Sequence, residues 1–98
     1  MKIERIEPLI ADAGWRTFSF LKITTADGIT GWSEYNEDFG SKGLSGVISQ
    51  LAPLIIGMDP LRSEAVLQRL HVATRQARGS LNQQAIAAIE NALLDIRG

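Results

Sequence analysis

The period of the apolar positions divides the chain in two. Through residue 36 they form short runs rich in aromatic and β-branched side chains; from residue 42 they return every three or four positions. Thr17 to Thr25 (TFSFLKITT) and Ile29 to Tyr35 (ITGWSEY) read as strands on either side of Ala26-Asp27-Gly28. Asp-Gly between two such runs signals a hairpin, because glycine tolerates the positive φ of a tight turn. Ile3 to Ile10 reads as a third strand, and Pro8, which cannot donate a ladder hydrogen bond, puts it at an edge. A two-residue Asp27-Gly28 turn would set Ile23 opposite Trp32 and Leu21 opposite Glu34, leaving Phe18, Phe20, Lys22, Ser33 and Tyr35 on the other face. Both faces would then be partly apolar. A sheet wetted on one side alternates cleanly, so this pattern predicts a cover for the second face.

In the second half, Leu44, Val47, Ile48, Leu51 and Ile55 make one helix face, with Pro53 expected to end or kink the helix near Ala52. Asp59 as cap and Pro60 at the first helical position predict a second helix, with Leu67, Leu70, His71 and Thr74 on one stripe and an end at Gly79. Ser80 to Gln83 has the spacing of a capping box. It opens a third helix carrying Ile86, Ile89, Leu93 and Ile96, with Ala85, Ala88 and Ala92 for close packing. Strands followed by helices argue an α+β fold: a three-stranded antiparallel meander over 1–36, then three main helices over 42–98. With 98 residues, this is one domain.

Charge and composition narrow the function. Ten Lys+Arg against eleven Asp+Glu leave no basic surface for nucleic acid or membrane. The absence of cysteine removes disulfides, thiolate metal sites and thiol catalysis. No apolar run approaches a membrane span, and the charged start (MKIERI) does not resemble a signal peptide, so the expected compartment is the cytoplasm.

Candidate chemistry is sparse. His71, the only histidine, lies in a predicted helix with no acid or second ligand at helical spacing, which favours packing or surface over catalysis. Glu34, Glu37 and Asp38 are the only acidic cluster; paired carboxylates hold Mg2+ or share acid–base work, but these lie on a strand and its following loop, where salt bridging and solvation are the plainer reading. Burial of Glu34 beside Trp32 would call for an arginine partner. The glycine-rich stretch 40–46 lacks Walker spacing and reads as a lid or linker. In Asp12-Ala13-Gly14-Trp15-Arg16 a tryptophan and an arginine stand together, both common binding anchors, although Trp15 folded onto the sheet edge accounts for the pair equally well.

Three stretches together resemble the mandelate racemase/muconate lactonizing branch of the enolase superfamily. Leu21 to Glu34 (LKITTADGITGWSE) is similar to its v-x-t-x-d-G-x-x-G-w-g-E signature. Leu51 to Pro60 (LAPLIIGMDP) is similar to LAP-x-L-I-G-x-D-P, and Ala85 to Gly98 (AIAAIENALLDIRG) to the A-i-a-A-i-d-x-A-l-w-D-i-k-G helix. Ser33 stands where the pattern usually has Gly, and Leu94 where it often has Trp.

The resemblance implies an N-terminal capping domain, an α+β lid over a (β/α)7β barrel that this chain does not contain. In the family the barrel holds Mg2+ and the bases that abstract a proton next to a carboxylate. The resemblance therefore implies no catalytic or metal-binding residue here, Mg2+ in the missing barrel, and as partners that barrel and a carboxylate-containing small molecule. It implies that loops 11–17 and 35–42 face the substrate, with Trp15, Arg16, Tyr35, Asn36, Glu37 and Phe39 as binding residues. The parent would be an acid-sugar dehydratase, a racemase or a cycloisomerase, and the chain a fragment of it. A stand-alone α+β interaction module is the alternative. For the isolated chain, self-association is expected from the second sheet face and the Ile86/Ile89/Leu93/Ile96 stripe.

Overall fold

The computed structural model describes residues 1–12, 14, 17–37, 43–75 and 79–98. β1 (Ile3–Asp12), β2 (Thr17–Thr25) and β3 (Thr30–Tyr35) form an antiparallel sheet in the order β1-β2-β3, followed by α1 (Leu44–Ile55), α2 (Ser63–Ala73) and α3 (Ser80–Arg97). The expected α+β order holds, with Pro8 in an edge strand.

The register of β3 differs from the two-residue expectation. Thr25 N donates to Ile29 O at 2.8 Å and Gly28 N to Thr25 O at 3.0 Å, so the turn holds three residues, with Gly28 at φ +89°. The side chain of Thr25 fixes this longer turn, since its Oγ1 accepts the N–H of Ile29 at 3.0 Å. Ile23 therefore faces Gly31, Leu21 faces Ser33 and Ser19 faces Tyr35. A slip of one residue moves every β3 side chain to the opposite face. Trp32 and Glu34 consequently join Phe18, Phe20 and Lys22 on the outer face, and Ser33 and Tyr35 turn inward. Glu34 is exposed there, so the burial imagined for it beside Trp32 does not occur. On that face the Phe18 and Phe20 rings stack at 6.4 Å, and the Lys22 ammonium lies 5.4 Å from the Trp32 ring centre.

The helices cover the inner face. Leu21 and Ile23 meet Leu44, Ile48, Leu51 and Ile55 of α1, Val66 and Leu70 of α2, and Ala85, Ile86, Ile89, Ala92 and Leu93 of α3 in one buried core. The α3 stripe is thus interior and cannot supply the exposed apolar surface expected of it; that surface comes instead from Leu9, Ile10 and Trp32 on the sheet and Val72 and Leu94 on the helices.

Helix limits depart from expectation at four points. Pro53 lies inside α1, because in the last turn it costs only the hydrogen bond to Ser49, an exposed residue. Asp59 instead caps a separate turn, accepting the Leu61 N–H at 2.9 Å, and α2 starts at Ser63. The α2 core stripe is Val66 and Leu70, with His71 exposed, and the helix ends at Ala73. The capping box does not form: Gly79 occupies the N-cap of α3, and the Ser80 hydroxyl accepts from Gln84 at 2.8 Å.

Two long-range seams close the fold. Ile3 N donates to Met58 O and Gly57 N to Ile3 O, each at 2.8 Å, tying the start of β1 to the segment after α1. Between β3 and α3, the Trp32 N–H donates to Asp95 Oδ2 at 2.8 Å and the Ser33 hydroxyl to Ala88 O at 2.7 Å.

Candidate functional site

Antiparallel order places the end of β1, the start of β2 and the end of β3 at one end of the sheet, opposite the 26–28 turn. Loops 11–17 and 35–42 therefore leave the same end. The β1–β2 ribbon also outruns β3: Ala11 and Asp12 pair with Phe18 and Thr17, while β3 pairing stops at Ser19. Ile10 sits near this tip on edge strand β1, 63% exposed although it points to the helix side, whereas Ser19 and Tyr35 in the same row are buried. Leu9 on the other face is 39% exposed. In the first loop, Asp12 Oδ1 accepts the Gly14 N–H at 2.8 Å, and Gly14 takes φ +87°. This Asx turn starts the reversal that delivers the chain to β2. Trp15 and Arg16 lie outside the described residues, as do Phe39 and the 38–42 portion of the second loop, including Asp38 and part of the glycine-rich stretch.

The described half of the second loop is built around Ser45, in the first turn of α1. Glu37 Oε2 accepts the Ser45 N–H at 2.8 Å and Glu37 Oε1 accepts the Ser45 hydroxyl at 2.8 Å. The Tyr35 hydroxyl lies 2.6 Å from the same Ser45 Oγ. Because the single Ser45 hydroxyl proton goes to the carboxylate, the Tyr35 O–H is the donor in that contact. Tyr35 is only 8% exposed. Burial pushes its phenol above the ordinary tyrosine value, and the nearby Glu37 charge pushes the same way; the Ser45 hydroxyl, when turned to donate to a phenolate, opposes them. Asn36 is exposed and, with Leu44, Gln84 and Asn91, lines an open cleft of about 260 Å³ between β3 and α3.

Of the six residues expected to bind substrate, the structure thus describes Tyr35, Asn36 and Glu37. It joins Tyr35 and Glu37 through Ser45, a residue sequence reasoning did not single out. The available signal was Gly43 before an apolar helix: it has no side chain to cap with, so a carboxylate from elsewhere was needed.

Glu34 and Glu37 do not converge. Glu34 projects from the outer face and Glu37 is turned to α1. Among the described residues no group of three His, Cys, Asp or Glu side chains could hold a metal ion. Nor is any helix among them long and apolar enough to cross a membrane.

Comparison with known proteins agrees with this architecture. Residues 9–98 match the mandelate racemase / muconate lactonizing enzyme N-terminal domain. A D-galactonate dehydratase of Xanthomonas euvesicatoria is 36% identical over 98 residues, covering 100% of this chain and 25% of that protein. A Burkholderia xenovorans protein assigned as an L-alanine-DL-glutamate epimerase, solved with magnesium and fumarate, superposes with TM-score 0.91 at 43% identity, over 98% of this chain and 24% of that one. The 3,6-anhydro-D-galactonate cycloisomerase of Zobellia galactanivorans gives TM-score 0.86 at 30% identity, over 99% and 28%. The chain spans about a quarter of the length of the curated relatives it matches. Two of the seams described above join the stretches that carry the resemblance, Gly31-Trp32-Ser33 to α3 and Gly57-Met58 to β1. The chain belongs to the mandelate racemase / muconate lactonizing enzyme family of the enolase superfamily and corresponds to its N-terminal domain.

Proposed function

We propose that this domain is the substrate-facing cap of a larger Mg2+-dependent cytoplasmic enzyme that abstracts a proton next to a carboxylate, an acid-sugar dehydratase or a racemase/cycloisomerase. The observation that carries the proposal is the end of the sheet from which both loops leave, where Leu9 and Ile10 stand exposed on opposite faces of edge strand β1 and the β1–β2 ribbon runs two residue pairs past β3. An exposed apolar edge is stabilised when another body covers it. Relatives four times as long have room for that body, a C-terminal barrel whose strand ends hold the metal and the bases. The cap supplies specificity and excludes water. Trp15 gives a rigid apolar wall and Arg16 a guanidinium that grips a carboxylate. Phe39 helps exclude water, and Tyr35, Asn36 and Glu37 bring polar groups to the edge of the second loop.

In the full-length enzyme, Trp15→Ala or Arg16→Ala lowers kcat/KM tenfold or more, about 1.4 kcal/mol, with Mg2+ affinity unchanged. Unchanged kinetics in both variants rules out the first loop as a substrate contact. The exposed Leu9 and Trp32 of the outer face favour a second reading, an interaction module without catalysis. A reading frame that continues for roughly 250 residues, the usual barrel length, decides for the enzyme; a stop codon after Gly98 decides for the module.

A further inference from the structure

We propose that Glu37, Ser45 and Tyr35 form a clamp that fixes residues 35–37 against the start of α1, so that Glu37 and Tyr35 are positioning residues acting through Ser45 and not ligands of the substrate. The functional consequence rests on the capping reading; the clamp itself does not. α1 has no local help at its start, since Gly43 offers no capping side chain and the first turn carries no acidic residue. Val47 N is the first of its amides to reach a helical acceptor, Gly43 O at 3.1 Å, so the preceding N–H groups need partners from outside.

Glu37, eight residues before Ser45, takes one of them and places a negative charge at the positive end of the helix. The same carboxylate holds the Ser45 hydroxyl, which in turn accepts from Tyr35 at the end of β3. Three hydrogen bonds in series, two of them charge-assisted, tie strand to helix. Residues 35 and 37 are both held against residue 45, so Asn36 between them is presented from a fixed backbone. A pinned segment meets a ligand at a lower entropic cost, so the clamp acts on KM more than on kcat. Both Glu37 oxygens are already engaged by Ser45, which argues against a direct substrate role for this carboxylate.

Hydrogen exchange and kinetics test this together. The Ser45 amide is protected in the wild-type chain and exchanges at least tenfold faster in Glu37→Ala; equal rates overturn the clamp. In the full-length enzyme, Glu37→Ala and Ser45→Ala each raise KM about tenfold with kcat within about twofold, and Ser45→Thr, which keeps the hydroxyl, restores KM. A rise confined to Glu37→Ala shows direct ligation by Glu37 and overturns the positioning role. Unmoved kinetics in the clamp variants alone overturns that role and spares the capping reading. Unmoved kinetics that extends to Trp15→Ala and Arg16→Ala removes both.

Discussion

The backbone N–H of Trp32, on edge strand β3, donates to the carboxylate of Asp95 in the last turns of α3 at 2.8 Å, across 63 positions of sequence. An edge strand leaves such groups open, and here a helix side chain closes one. Asp95→Ala should cost about 1 kcal/mol, below the usual range for a charge-assisted bond because the site is exposed, while Asp95→Asn keeps an acceptor and costs less. Urea midpoints of the two variants measure the difference; equal losses would mean that the hydrogen bond is not what stabilises the seam.

Gly31, beside Trp32, marks a close approach of sheet and helix. A Cβ there would run into the Ala92 carbonyl oxygen and the Ile96 side chain, and the carbonyl belongs to a helix that cannot yield alone. Gly31→Ala should destabilise by about 3 kcal/mol, the upper range for overpacking. Gly46, within α1, has open space around it, so Gly46→Ala should stabilise by about 0.5–1 kcal/mol through helix propensity. Thermal melting should separate the pair by more than about 10 °C, at roughly 4–8 °C per kcal/mol for a domain of this size.

Tyr35 is the only tyrosine, so its ionisation can be followed by absorbance without assignment. Its folded pKa lies above the ordinary value of 10.0, with burial the leading cause. As pH rises past 10.0 the unfolded chain loses this proton first and binds fewer protons than the folded one, so stability falls with pH. The contribution is fully present below the unfolded pKa and is lost as pH rises through the folded value. Denaturant unfolding across this range should show a decline that Tyr35→Phe removes; a decline of equal size in Tyr35→Phe would assign it to other groups.

Mg2+ titrated into this chain by calorimetry should give no stoichiometric binding in the micromolar range, because Glu34 and Glu37 face different ways and Glu37 is occupied by Ser45. A single tight site would require a convergence of carboxylates that the described residues do not make.

The meander, the three helices and the core stripes of β2, α1 and α3 were legible in the sequence, because strand and helix periods depend on which side chains must leave water. The α2 stripe was not, since Val66 is buried and His71 exposed. Leu21 and Ile23 of β2, the α1 stripe from Leu44 to Ile55 and the α3 stripe of Ile86, Ile89 and Leu93 are buried as their spacing required. The three motifs that resemble the family were also visible as separate strings. That two of them are seams, Gly31 to Ser33 against α3 and Gly57-Met58 against β1, was not, since no local pattern encodes a hydrogen bond across 63 residues. The register of β3 depended on one hydroxyl, Thr25 Oγ1, choosing a three-residue turn over two, and that choice moved Trp32 outward and Tyr35 inward. The clamp at Ser45 likewise exists only because the β3 register points Tyr35 at the start of α1, where a glycine N-cap had left an amide for Glu37 to take. Periodicity decides what is buried; which buried groups meet is decided when the elements pack and each polar atom must find its partner.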